Sequence, residues 1–444
     1  MKMETFKLTS LIIFLAIMIL SVIGCEEPGI DPTVPAPIPT EPAPIPTEPA
    51  TEPDSSIRGH LDTSLGEGGS LGFDTNYTDV YDILVDKDGI IKLTGEFSES
   101  SMSRRIYIWS FNEDGSSNMN QSTTDHNVFL NSYAITETDS GEIRTCGTKA
   151  YDMQRFEANM HYMQSFAAYN EKSAGYGITA KDGRTLIAGK VGSQFDGIPL
   201  SMQIWCYDSA FSTDTNFGTN GIANFANNAA YQTSEGWDIE IDKDGKIFVA
   251  GNCTADSKRN IALWKYNSDG TIDSSFGDNG IVLENLGGTA STAAGKAVEI
   301  SADGRIFVTG YLDSNMVLLC YNSDGSLDTS FAENGRAVSS HAGYKTKGFD
   351  IAITSDGDII VSGLREKSAT DAFLKIWCYN SDGTLDTDFD EDGIIDGSGI
   401  TSKNADFWSI PVALDKKGRI IISASCVHPD NPDGTMPYFW RYLN

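Results

Sequence analysis

The phrase Asn-Ser-Asp-Gly-x-x-Asp-x-x-Phe occurs three times, at 267–276, 322–331 and 380–389, with starts 55 and 58 residues apart. A repeat of that length means similar supersecondary units that bury their apolar faces only against one another. The chain therefore has to be read as an array before any single residue is read for chemistry.

A second motif precedes the first in each unit: two short strands joined by a tight turn. Clear copies span 237–251, 297–310 and 349–363, and weaker ones span 81–95, 133–147, 176–189 and 408–424. Val and Ile dominate the strand positions, as a pleated, half-buried surface favours. Asp-Gly, Ser-Gly or Lys-Gly marks the turn, where glycine accepts a positive φ. A third strand follows, as at 261–266 and 374–379, then the Asn-Ser-Asp-Gly turn and a short fourth strand such as 280–283. No stretch shows helical periodicity with caps. Four antiparallel strands per unit and seven units of about 50–60 residues predict an all-β fold, a seven-bladed β-propeller. Six or eight blades are also compatible, because the first two units are degenerate. A closed ring removes the edge strands that an open array would expose.

The ends predict how the ring shuts. Leu61-Asp-Thr-Ser-Leu matches Leu327-Asp-Thr-Ser-Phe and Leu385-Asp-Thr-Asp-Phe, so it is the tail of a unit stranded at the start of the domain. The last unit stops at Phe439-Trp-Arg-Tyr-Leu443, a third strand with nothing after it. The N-terminal piece is expected to complete the last blade as its fourth strand.

Over roughly residues 60–444 these motifs resemble the bacterial delta-60 repeat family, tandem units that imply a β-propeller. The resemblance is close at Gly270–Phe276, Gly325–Phe331 and Gly383–Phe389. It fades where Asn112-Glu-Asp-Gly115 and Asn170-Glu-Lys-Ser173 keep only part of the turn. The family carries no general catalytic signature to transfer.

Residues 1–24 read as a targeting segment. Lys2 and Lys7 precede an apolar run from Leu8 to Ile23, which ends in Val22-Ile23-Gly24-Cys25. This resembles the bacterial lipoprotein box, which implies cleavage before Cys25 and lipid on its sulfur; an ordinary secretory signal or a membrane anchor is the alternative. Lipid at Cys25 would tie the protein to a membrane without a spanning helix. Glu26 and Glu27 resemble the acidic cluster that some bacteria use for surface export. Residues 25–56 then form a spacer in which Pro-Ala-Pro-Ile-Pro-Thr-Glu occurs twice, from Pro35 and from Pro42. Proline this dense favours an extended polyproline II chain. Residues 57–444 are left for the propeller. The expected address is the bacterial cell envelope, at the outer membrane or cell surface.

The formal net charge of −30 repels phosphate backbones and excludes nucleic acid as a partner. Cys206, Cys320 and Cys378 occupy one repeat position, one unit apart, and read as buried free thiols. Cys146, Cys253 and Cys426 follow other strands and could pair in an oxidising compartment. No Cys-x-x-Cys marks a metal or redox site. The Asp-rich turns fail the EF-hand pattern, because Lys265, Cys320 and Cys378 fall in its first ligand position. They read as hairpin turns whose side-chain oxygens bond local backbone. Asp386 to Asp392 is the better weak-cation candidate, with a solvated loop favoured over it. No metal or cofactor is assigned, and no motif nominates a nucleophile, acid or base.

One position carries a site hypothesis. Tyr81, Tyr133, Trp237 and Phe349 stand eight residues before the turn glycine; Lys296 breaks the series, and Trp408 stands in a similar place before a longer hairpin. With the first strand innermost, these rings lie near one mouth of the central channel. They could stack on sugar faces, with Asp82, Asp238 and Asp350 binding hydroxyls. The competing and favoured reading packs the rings between neighbouring blades. The variable loops, including 151–160 and 428–436, are the other candidate surface. The function expected is a non-enzymatic binding or scaffold module for a protein or glycan partner. The alternatives are a carbohydrate-binding module and, less favoured, a propeller lyase or hydrolase.

Overall fold

The computed structural model describes residues 58–444 except 67, 73–77, 101–102, 119–120, 123–129, 150–151, 158–161, 164–172, 194–197, 226–229, 286–291, 369–370, 401–408 and 429–430. Cys25, the targeting segment, the spacer and Trp408 lie outside the described residues. Among the described residues no helix is long and apolar enough to cross a membrane.

The fold is an all-β propeller. Among the described residues the strands form seven four-stranded sheets. Six of them are simple meanders taken from contiguous sequence, each strand antiparallel to the next. Sheets 1 to 6, in chain order, start with Thr78–Val85, Leu130–Glu137, Ser173–Lys181, Tyr231–Ile241, Ala293–Ile300 and Lys345–Ile353. Sheet 7 is composite. It contains Val412–Leu414, Ile420–His428, Asn431–Tyr442 and, from the other end of the chain, Ser70–Gly72. Ser70, Leu71 and Gly72 pair with Trp440, Phe439 and Tyr438. First strands of consecutive sheets lie side by side, and that of sheet 7 lies against that of sheet 1.

The repeated phrase explains how the sheets adhere. Within each turn the Asp accepts hydrogen bonds locally: Asp269 Oδ1 takes the Thr271 N–H and hydroxyl at 2.9 and 2.6 Å. The second Asp does the same, with Asp273 Oδ1 taking the Ser275 N–H and hydroxyl at 3.2 and 2.6 Å. These are the self-bonded hairpin turns expected from the sequence. The terminal Phe, by contrast, faces outward to the next sheet. A Cβ on Gly325, at φ +88°, would lie 2.9 Å from the Gly277 nitrogen and 3.1 Å from the Phe276 ring. The turn glycine thus supplies a left-handed conformation and a seat for the preceding sheet's Phe. Phe276, Phe331 and Phe389 are fully buried. Burying such a ring is worth about 2–3 kcal/mol, so each copy glues two sheets together.

Leu61–Ser70 repeats this chemistry across the chain ends. Asp62 Oδ1 takes the Ser64 N–H and hydroxyl at 3.0 and 2.6 Å, and buried Leu65 stands where other units carry Phe. Arg419, just before the strand Ile420–His428, and Arg441, within Asn431–Tyr442, reach Asp62 Oδ2 at 2.7 and 2.9 Å. Burial raises the Asp62 carboxyl, but the Ser64 donors and the two guanidinium groups outweigh it and hold it down to about 2.

All six described cysteines are free and buried. Cys206, Cys320 and Cys378 each direct the thiol at their unit's Asp, at 3.8–3.9 Å. Cys146, Cys253 and Cys426 form no disulfide, because they stand in sheets 2, 4 and 7.

Candidate functional site

The first strand of each of sheets 1 to 6 carries a β-bulge, and in four of them the bulged residue is one that the site hypothesis named. The register skips Tyr81 between Val80 and Asp82, Tyr133 between Ser132 and Ala134, and Trp237 between Gly236 and Asp238. It likewise skips Phe349 between Gly348 and Asp350. A bulge inserts an unpaired residue and re-aims its side chain. The same skip occurs at Tyr176 and at Lys296, so the lysine does not break the series structurally. In sheet 7 the residue eight before the turn glycine Gly418 is Ile410, two beyond Trp408.

These side chains meet. Tyr81, Tyr133, Trp237 and Phe349, with Asp82, Asp238 and Asp350, line one cavity of about 80 Å³, joined by Tyr176, Lys296 and Ser409. The rings touch in chain order. Tyr81 and Tyr133 have centroids 5.3 Å apart, Tyr133 and Tyr176 are also 5.3 Å apart, and Tyr176 stacks on Trp237 at 4.4 Å. The Lys296 ammonium then sits 3.7 Å over the Trp237 ring, a cation–π contact that ends the arc. The Trp237 indole N–H is donated to Asn252 Oδ1 at 2.7 Å.

The three aspartates are structural clamps. Asp82 Oδ1 accepts the N–H of Ile83 and its Oδ2 accepts the N–H of Ile135, in the next sheet, both at 2.8 Å. Asp238 does the same with Ile239 and Val298, both at 2.8 Å. Asp350 does it with Ile351 and Val412, at 2.8 and 2.9 Å. Each carboxylate therefore bridges two first strands. Hydrogen bonds to a charged group contribute about 1.5–3 kcal/mol each. The receiving sheet offers Ala134, Ala297 or Pro411 just before the donor nitrogen. That alternation of Asp with a compact residue is the sequence signal that could have revealed the clamp.

Burial also holds these carboxyls back from ionising. Burial pushes the Asp82 carboxyl up to about 7, against its two N–H donors and with a contribution from Asp238. Burial pushes Asp238 up to about 6, again against its N–H donors. Asp350 is raised well above its ordinary value by burial and then by Asp82. Two residues further along their strands, Glu240 is pushed up to about 7 by burial, and Glu299 is raised well above its ordinary value by burial and by Glu240. Sequence reading missed Tyr176, Glu240 and Glu299, although Glu240 and Glu299 share one repeat position.

Chemically, the arrangement is a small cavity with buried carboxyls beside rings that pack on one another. Ligand pockets for small molecules are typically about 300–1,000 Å³, several times this cavity.

A family profile described as a domain of unknown function (DUF5122) beta-propeller matches residues 243–276, 301–331 and 354–389. Each match runs from a hairpin turn to the Phe that seats in the next sheet. Those three segments are thus similar to repeats of a β-propeller family. No curated protein matches it. Similar solved structures include catalytically inactive virginiamycin B lyase from Staphylococcus aureus with quinupristin, at 12% identity and TM-score 0.46, covering 84% of this chain and 98% of that one. A protein of unknown function from Dyadobacter fermentans is similar at 10% identity and TM-score 0.45, covering 85% and 98%. A gluconolactonase from Xanthomonas campestris is similar at 12% identity and TM-score 0.40, covering 89% and 99%. Likeness at this level says nothing of what this chain binds or turns over.

Proposed function

We propose that this chain is a cell-envelope lipoprotein, anchored through lipid on Cys25 and held off the membrane by the Pro-rich spacer. Its propeller acts as a non-enzymatic scaffold that presents loops to a protein or glycan partner. We read the seven sheets as seven blades of a ring sealed by the N-terminal segment. The observation that carries the scaffold reading is the commitment of the channel-mouth groups to the fold itself. Asp82, Asp238 and Asp350 each use both oxygens to join neighbouring sheets, and Tyr81, Tyr133, Tyr176 and Trp237 pack on one another. Binding then falls to the loops that such a rigid ring displays.

A carbohydrate site at the channel mouth needs rings and carboxylates that can turn to a ligand, and the cavity of about 80 Å³ leaves little room for one. A thermal-shift screen of the full chain against envelope saccharides separates the two readings, because a ligand of the native state raises Tm with its concentration. The scaffold reading expects no shift, and expects capture of an envelope partner that survives Trp237→Ala. A saccharide-induced shift that Trp237→Ala abolishes in a still folded protein would replace it with the carbohydrate reading. Labelling with radioactive palmitate tests the anchor: incorporation should vanish in Cys25→Ser, and retention of label in that variant would remove the lipoprotein assignment.

A further inference from the structure

Neighbouring units join through one recurring contact, and at one junction its charges are reversed. The nitrogen after the tail Phe donates to the carbonyl of the next turn's Asp: Gly218 to Asp269 at 2.7 Å, Gly277 to Asp324 at 2.9 Å and Ala332 to Asp382 at 2.7 Å. A cation of the earlier sheet reaches the carbonyl of the neighbouring Ser. Arg184 donates to Ser268 at 2.6 Å, Lys265 to Ser323 at 2.8 Å and Arg305 to Ser381 at 2.6 Å. Arg184 and Arg305 both stand directly after the hairpin-turn glycine, as do Lys246 and Arg419.

In sheet 2 that position is Glu142, and Arg144 two residues on makes the forward contact instead, donating to the Ser209 carbonyl at 2.9 Å; in sheet 6 the position is Asp358. Its neighbour is the N-terminal segment, and there the Asp390 nitrogen donates to the Arg58 carbonyl at 3.0 Å. Arg58 thus takes the backbone place of Asp269, Asp324 and Asp382. Its guanidinium runs backwards across the junction, 2.7 Å from Asp358 and 2.7 Å from Asp386. The ligand atoms of Asp358, Cys378 and Asp386 lie within 4.8 Å of one another, and Arg58 is the cation among them. Two carboxylates at that spacing repel unless a positive charge stands beside them.

We infer that Asp358 and Arg58 form a polarity-reversed lock, which makes the edge of sheet 6 a seat for the arginine-led N-terminal segment and for no repeat turn of this chain. Sheet 6 carries Asp358, Ile360 and Cys378 at the places of Arg184, Arg144 and Lys265, so none of these three places supplies the forward-pointing cation that a repeat turn would meet. The two carboxylates instead demand a cation carried by the incoming segment. Exchange of a charge pair sets partner choice through what it repels as well as what it attracts.

The test is a charge-swap series in the full-length protein, read by amide hydrogen exchange at Ser70–Gly72 and Tyr438–Trp440. Arg58→Ala should speed exchange there at least tenfold. Asp358→Arg should do the same, by setting two guanidinium groups against each other. Arg58→Ser combined with Asp358→Arg restores the forward polarity of the other junctions and should return exchange to within about threefold of wild type. Circular dichroism checks that each variant is folded. Unchanged exchange in Arg58→Ala overturns the lock. So does a folded double variant that exchanges as fast as Asp358→Arg alone. If the single variants fail to fold, folding recovered in the double variant supports the lock, and a double variant that also fails overturns it.

Discussion

The junction between sheets 5 and 6 and the seam where Leu61–Ser70 meets the C-terminal strands do the same mechanical work with parts of different origin. At the first, Phe331 of one repeat packs against Gly383 of the next, and both come from copies of one phrase. At the seam, Leu65 replaces Phe and packs on Gly115, while the charged contacts run between residues more than 300 apart. Repetition makes the first junction an apolar key in a glycine seat. The seam, built once, leans on ion pairs: Asp62 with Arg419 and Arg441, and Arg58 with Asp358 and Asp386.

The sharpest way to break the comparison is to empty both keys. Phe331→Ala should cost about 3–5 kcal/mol and lower the denaturation midpoint of the whole propeller. Leu65→Ala should cost about 2–4 kcal/mol but first raise hydrogen exchange in residues 58–72, while the middle sheets keep their protection. Equal acceleration in every sheet would show that the seam is no weaker than a repeat junction.

Filling the seats should give a smaller gap. Gly325→Ala and Gly115→Ala both force a side chain onto positive φ, at about 1–2 kcal/mol. At Gly325 the new methyl also meets backbone at 2.9 Å, whereas at Gly115 it meets the movable Leu65 Cδ1 at 3.0 Å. Gly325→Ala should therefore lose roughly 1–2 kcal/mol more in urea unfolding; equal losses would mean that the preceding sheet yields as readily as a side chain.

Acidity should move the seam and the aspartate clamps in opposite directions. Asp82 and Asp238 have folded-state values of about 7 and 6, above the ordinary value of 3.8, so the fold favours their protonated forms. Their contribution is full below the ordinary value and is lost as pH rises through about 6 to 7. Asp62, at about 2, contributes above the ordinary value and loses that contribution as pH falls through about 2. Titrating the denaturation midpoint from pH 3 to 8 should show Asp62→Asn flattening the acid side only and Asp238→Asn flattening the neutral side only. A single slope change shared by both variants would erase the distinction.

The weakest expected effect is at the outer turns. Asp269→Ala removes bonds to Thr271 at an exposed turn and should cost about 0.5–1 kcal/mol by thermal unfolding. A loss as large as that of Phe331→Ala would mean that the turn, and not the ring it positions, holds the sheets together.

What could be read from the chain follows the distance between cause and effect. The hairpins were legible because their signals, such as Asp244-Gly245 between Ile241 and Ile247, are local. The stranded tail at Leu61 was legible because the same words recur 266 residues later at Leu327. The gathering of Tyr81, Tyr133, Trp237 and Phe349 at one cavity followed from equivalence within a repeat. The role of Asp82, Asp238 and Asp350 did not, since each carboxylate's second partner is a backbone nitrogen in another sheet. Free Cys146, Cys253 and Cys426 were one alternative in the sequence, and only the sheet assignment separates them. The Arg58–Asp358 pair was invisible, because it joins a residue outside the repeats to an exception within them.

The composite seventh sheet also sets an order of events in time. Ser70–Gly72 is synthesised about 370 residues before its partners Tyr438–Trp440. At about 5–20 residues per second, that is a wait on the order of 20–70 s. Throughout it, the Asp62 carboxylate lacks Arg419 and Arg441, although Gly115, the seat of Leu65, is made early and six sheets can already form. The nascent chain must hold Ser70–Gly72 unpaired until Tyr438–Trp440 arrive, and the pairing that completes the seventh sheet joins residues made early to residues made late.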